Sequence, residues 1–167
     1  MLTQSKLKKY VSYNPDTGVF TWKKIPPKTS STKVGNEAGC DNGHGYLVFM
    51  IEGVMYRAHR LAFLYMKGKM PKKYVDHING KKSDNRWCNL REVDENQNAK
   101  NSRLQKNNKS GVSGVHWNSS RLKWKSIIWN KNKSIYLGEF EDFFDAACVR
   151  KSAELTYNYH RNHGRTS

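Results

Sequence analysis

Cysteine is scarce. Cys40, Cys88 and Cys148 are three in 167 residues, odd in number, widely spaced and without a CxxC pair. That excludes a disulfide framework and a cysteine-based structural zinc site, and it predicts free, buried or half-buried thiols in a reducing cytoplasm. Long apolar runs are missing too. The longest, near residues 46–51 and 61–66, fall far short of the roughly 20 residues a membrane-spanning helix needs. Residues 1–11 are polar and basic without an apolar centre, so no secretion signal is expected. Acidic residues are few: 14 Asp and Glu stand against 30 Lys and Arg, a net charge of +16. Membrane proteins and secreted disulfide scaffolds are thereby set aside, and a polyanionic partner is favoured.

What is present is unevenly placed. Residues 1–73 carry +9, residues 74–101 carry no net charge, and residues 102–167 carry +7. A neutral stretch with acidic groups between two basic arms suits a cation site flanked by phosphate-gripping surfaces. A plain coat of solvated lysines is the simpler reading, and the aromatics interleaved with the charges argue against it. At 37% hydrophobic residues, the chain favours small modules over one large globule.

The neutral stretch is the sequence YVDHINGKKSDNRWCNLREVDENQNAKN, residues 74–101. Its pattern predicts strand, loop, strand, helix. Residues 74–78 are β-prone, and Asn79-Gly80 is a turn signal. Residues 90–93 return as a second strand. Asp94 fits an N-cap, with Gln97 completing a capping box, and Asn98 falls one turn into the helix. Asp76 and Asn98 offer hard oxygen donors that suit magnesium or manganese. On an extended strand His77 points away from Asp76, so its imidazole can serve as a general base for water. Asn89 is expected to tie down the loop and orient that imidazole. Each residue alone is more simply a solvated turn or loop position; the joint spacing carries the argument.

The patterns DHxNG, NRxxNLR and ExxN resemble the HNH endonuclease family. The resemblance implies a ββα-metal motif in which Asp76 and Asn98 hold a divalent metal, His77 is the general base and Asn89 is the structural member of the triad. Asn98 stands where many members have His, as in the H-N-N variant common among phage-encoded nucleases.

Ahead of this stretch, residues 2–11 predict a short amphipathic helix and NPDTG (residues 14–18) a turn. Residues 19–22 predict a strand, residues 23–45 a basic loop, and residues 46–51 and 54–57 a hairpin. A helix opens at HRLA, turns Leu61, Leu64 and Tyr65 inward and ends at Pro71. Phage HNH enzymes resemble this opening as well. Arg60 is a candidate phosphate ligand, and His59 reads as a packing residue. Arg91 is either a phosphate clamp or the partner of Glu92 or Glu95.

Behind it, residues 102–112 read as a basic linker that tracks a phosphate backbone or stays a disordered spacer. From Ser113 the pattern predicts a three-stranded meander and a helix capped by Asp142. SGVSGVHW, KWKSII, IYLGEF and the helical DAA resemble the APETALA-type (ethylene-response-factor) DNA-binding domain. That resemblance implies a sheet face for double-stranded DNA made of His116, Asn118, Lys125, Trp129, Ser134 and Tyr136. Val115, Trp124, Ser126, Ile128, Leu137 and Phe140 are expected to face the helix.

The fold class expected is therefore α+β. A hairpin and helix buttress a ββα core at 74–101 within a nuclease domain at 1–101, and a sheet-and-helix module follows at 113–163. The expected activity is metal-dependent, site-directed, homing-type nicking of DNA by a monomer or weak dimer, in the cytoplasm of an infected bacterial host and away from membranes. The alternatives are a DNA-binding regulator with an inactive HNH fold and an RNA-binding protein.

Overall fold

The computed structural model describes residues 2–27 and 32–166; the middle of the expected loop, residues 28–31, lies outside the described residues. Two compact units divide the chain, Met1–Val93 and Asp94–Ser167. The architecture is α+β, with four helices and small antiparallel sheets.

In the first unit, Thr3 caps helix α1 (Gln4–Tyr10) by accepting the Lys6 N–H at 3.3 Å. Val11 then turns extended and opens β1 (Val11–Tyr13), which pairs with β2 (Phe20–Trp22) across the NPDTG turn. The Asn14 side chain accepts the N–H groups of Asp16 and Thr17, which closes that turn locally. The expected loop after β2 contains a short strand, β3 (Cys40–Asp41), and the buried Ala38. β3 joins the hairpin of β4 (Leu47–Ile51) and β5 (Val54–Arg57) in a three-stranded sheet.

Helix α2 (Ala58–Lys67) follows directly and buries Leu61, Ala62, Phe63 and Leu64. It stops before the expected Pro71. Gly68 takes the left-handed conformation that only glycine adopts at no steric cost, and its N–H returns to the Leu64 carbonyl. Leu7, Val11, Phe20, Trp22, Phe49, Ile51 and the inner face of α2 make one core. Strands β6 (Tyr74–His77) and β7 (Leu90–Val93) pair antiparallel at the end of the unit, with Asp76 opposite Arg91 and His77 opposite Leu90.

The second unit opens on α3 (Glu95–Ala99), where Asp94 and Gln97 complete the expected capping box. Strands β8 (Val115–Asn118), β9 (Lys123–Asn130) and β10 (Lys133–Phe140) form the meander in the order β10-β9-β8. Lys131 and Asn132 both have positive φ, as a tight turn matched to strand twist requires. Asp142 caps α4 (Phe143–Thr156), which lies mainly across β9 and β10. Register puts His116, Asn118, Lys125, Trp129, Ser134 and Tyr136 on the face away from α4, while Val115, Ser126 and Ile128 are buried beneath it. Leu137 sits at a bulge between Tyr136 and Gly138, so it falls outside the strict alternation.

Two further expectations change. All three cysteines are exposed, because each sits on a strand, turn or helix face turned from the core. Residues 102–104 are not a free spacer. Ser102 accepts the Gly164 N–H at 2.9 Å, and Leu104 donates to the Arg165 carbonyl at 3.0 Å.

Candidate active site

Alternation along β6 places the two chemistry-bearing neighbours on opposite faces. Asp76 is half-buried, and His77 is 4% exposed, facing the core of the first unit. Aromatic and imidazole rings surround the His77 ring. His59 meets it edge-on at 5.1 Å, and Tyr46 lies tilted at 6.1 Å. Burial pushes the His77 pKa down; the Asn85 hydrogen bond and the charges of Asp76 and Asp84 oppose that shift. On balance the surroundings favour the neutral imidazole. His59 is pushed down to about 3, chiefly by burial and then by His77, Arg57 and Arg60, and its Nδ1 has no hydrogen-bond partner among the described residues.

Sequence reasoning gave Asn89 the task of orienting this ring, and the geometry divides that task between two residues. Asn89 binds the loop: its Oδ1 accepts the Asn79 N–H at 2.9 Å, and its Nδ2 donates to Asn79 Oδ1 at 3.0 Å and to the Asp84 carbonyl at 2.8 Å. Asp84, which also accepts from Asn79, is lowered to about 2, first by the Arg86 guanidinium. The ring itself meets Asn85, whose Oδ1 lies 3.3 Å from His77 Nε2. Asn85 Nδ2 donates to the Ser83 carbonyl, which fixes the amide so that its oxygen faces the imidazole. Nε2 is then the donor, and the lone pair falls on Nδ1. Asn85 is the first residue of NRxxNLR; the motif contained it, but its burial at 1% exposed was the missing signal.

The candidate arginines are engaged. Arg91 pairs with Asp76 through Nε and Nη2 at 3.0 and 2.8 Å, directly across β6 and β7, instead of with Glu92 or Glu95. Glu92 accepts the backbone N–H groups of Lys72 and Lys73. Arg60 donates to the Pro71 and Lys73 carbonyls and so holds the loop between α2 and β6. Asn98 lies one turn into α3, in the second unit. On the outer sheet face, Asn118 donates to Glu139, and Lys125 lies 5.8 Å from the Tyr136 ring centre. Trp129 and Tyr136 are exposed there.

No group of three or more His, Cys, Asp or Glu side chains that could hold a metal is found among the described residues. The donors available are a carboxylate and side-chain amides. Such a sparse, hard-oxygen set fits a cation that keeps waters and takes substrate phosphate oxygens, as magnesium does.

Residues 56–100 match the family model for HNH endonucleases, which defines an HNH endonuclease domain over β5 to α3. The chain is also similar to Protein 3.8 of Escherichia phage T7, at 31% identity over 78 residues. That match covers 46% of this chain and 64% of the phage protein. No solved structure matches the chain.

Proposed function

We propose that the protein is a metal-dependent DNA endonuclease that nicks duplex DNA in a site-directed way, as homing-type enzymes do. The observation that carries this reading is a buried imidazole beside a carboxylate on the opposite strand face, inside the segment that matches the HNH model.

His77 Nδ1 accepts the proton of the attacking water, and Asn85 keeps the opposite nitrogen protonated throughout. Asn89 holds the loop that carries Asn85. Asp76 and Asn98 would hold magnesium or manganese, which supplies charge neutralisation at the scissile phosphate. Arg91, which pairs with Asp76, would share that phosphate. The C-terminal sheet supplies duplex reading through His116, Asn118, Lys125, Trp129, Ser134 and Tyr136, in the manner of an APETALA-type module. One such site per chain suits nicking by a monomer, and a double-strand cut needs a dimer or two events.

A supercoiled-plasmid assay tests this with purified protein, with and without magnesium or manganese, beside His77→Ala. Conversion to open circle that needs both metal and His77, with DNA binding retained in the variant, is the expected result. Cleavage that survives His77→Ala defeats the assignment. A wild type that binds source DNA and never cuts it leaves the regulator reading.

A further inference from the structure

Helix α4 covers β9 and β10 but leaves the β8 end of the same sheet face open. A groove of about 570 Å³ lies there, within the second unit. That is within the roughly 300–1,000 Å³ of sites that take small ligands. Its floor is aromatic. Trp117 is 46% exposed and meets Trp124 edge-on at 5.3 Å, and Trp124 is braced by Phe143 at 4.9 Å. The indole is thus propped in one orientation with part of its surface open.

The wall is built from the residues after α3 and is stiff. Asn108 donates to the Val112 carbonyl at 3.0 Å and accepts the Gly111 N–H at 2.7 Å. Ser110 donates to the Val115 carbonyl at 2.6 Å. From this wall Gln105, Asn107 and Lys109 present side chains at the groove. Among the described residues Lys109 enters no ion pair, and no acidic residue lines the groove.

From this geometry we infer that the groove is a binding site for an unpaired nucleotide of a DNA strand. An oriented, part-exposed indole stacks on a base; amide side chains read a base edge; a free ammonium meets a phosphate. In a duplex both faces of each base are already stacked, so the groove takes a nucleotide that has left its helix. Trp117 and Trp124 face the α4 side of the sheet, while His116, from the face assigned to duplex reading, lines the rim of the groove; the site does not depend on the protein cutting DNA.

The test uses the full chain in chelator, where no cleavage occurs, and a labelled single-stranded oligothymidylate beside a duplex of equal length. Trp117→Ala should weaken single-strand binding about 10-fold or more, the size of one lost base–aromatic stack, with an unchanged salt dependence. Trp117→Phe should keep most of the affinity. Lys109→Gln should lower the salt slope by about 0.7. Duplex affinity should stay the same in Trp117→Ala. Equal single-strand affinity in Trp117→Ala and wild type overturns the inference, as does an equal loss on duplex or a preference for RNA of the same sequence. Should Trp117→Ala melt early, emission decides: oligothymidylate should quench the wild-type tryptophan signal and quench Trp117→Phe measurably less. An identical quench in both removes the site.

Discussion

A buried imidazole works as a base only if its proton sits on the correct nitrogen, and if His77 is the base proposed above, that choice falls to Asn85. Asn85→Leu keeps roughly the volume and removes the acceptor. Single-turnover cleavage should fall about 10- to 100-fold, as it does when a residue orienting a catalytic ligand is lost, with DNA affinity unchanged. The melt should register a cost of about 1–3 kcal/mol for the unpaired ring N–H. Asn85→Asp keeps the acceptor and adds a negative charge. A nearby anion favours the imidazolium and raises the His77 pKa, so the acid limb of the pH–rate profile should move to higher pH. An unmoved limb would show that Asn85 does not meet the ring that takes the proton. At this scale the sequence was legible only where spacing speaks. DHxNG marks Asp76 and His77, and alternation sets them on opposite faces. Which Asn meets the ring depends on how the loop of residues 78–89 folds back on itself, and no periodicity encodes that.

Turns and strands decide whether these residues stay in register. The NPDTG turn was plain in the sequence because each residue has a local reason to be there. Its second role, as a prop for the site, was not plain. Gly18 has φ +76, and a Cβ there would lie 2.4 Å from the backbone of Asn85 and Arg86. The Tyr13 hydroxyl donates to the Asn85 carbonyl at 2.7 Å, and the Trp87 N–H to Pro15 at 2.8 Å, so the turn and the loop lock together. Gly18→Ala should therefore push the Asn85 loop away. We expect a stability loss of about 2 kcal/mol or more, from backbone strain plus the clash, and a cleavage defect larger than that loss explains. Thermal melts read beside kcat separate the two; wild-type kcat in a destabilised variant would show that the turn is only scaffold. The strands of both hairpins were legible for the same reason as the turn: alternating runs bounded by Gly or Asn. β3 was hidden because two residues carry no period, and the end of α2 was misplaced because Gly68 acts before Pro71 can.

At the scale of the molecule, the chain's last residues are tied to its middle. Nothing in YNYHRNHGRTS announces a pattern, yet within the second unit residues 157–166 make a strap. Tyr159 donates from its hydroxyl to the Trp129 carbonyl, and its ring covers His163 at 4.6 Å. His160 donates to the Lys100 carbonyl at 3.1 Å, and Arg165 to the Asn101 carbonyl at 2.7 Å. These bonds close the end of α3, whose five residues could not persist alone. The strap is acid-sensitive. Burial, then the charges of Arg150, Lys151 and Arg165, push His163 down to about 4. The unfolded chain takes up this proton below about pH 6.5, and the folded chain only near pH 4, so the contribution is whole above that window and is lost as pH falls through it. By pH 5 the loss reaches about 2 kcal/mol, and His163→Gln should flatten it; hydrogen exchange of the β9 amides reads this in the unit concerned. Removing residues 158–167 is the sharper experiment. If the C-terminal part were a separable reader, cutting into it would leave slow, unspecific nicking. With Asn98 on α3 and the strap holding that helix, truncation should instead abolish metal-dependent nicking while amide protection in β4 and β6, in the first unit, persists. Nicking that survives the truncation would mean that α3 forms without the strap, or that Asn98 is not needed.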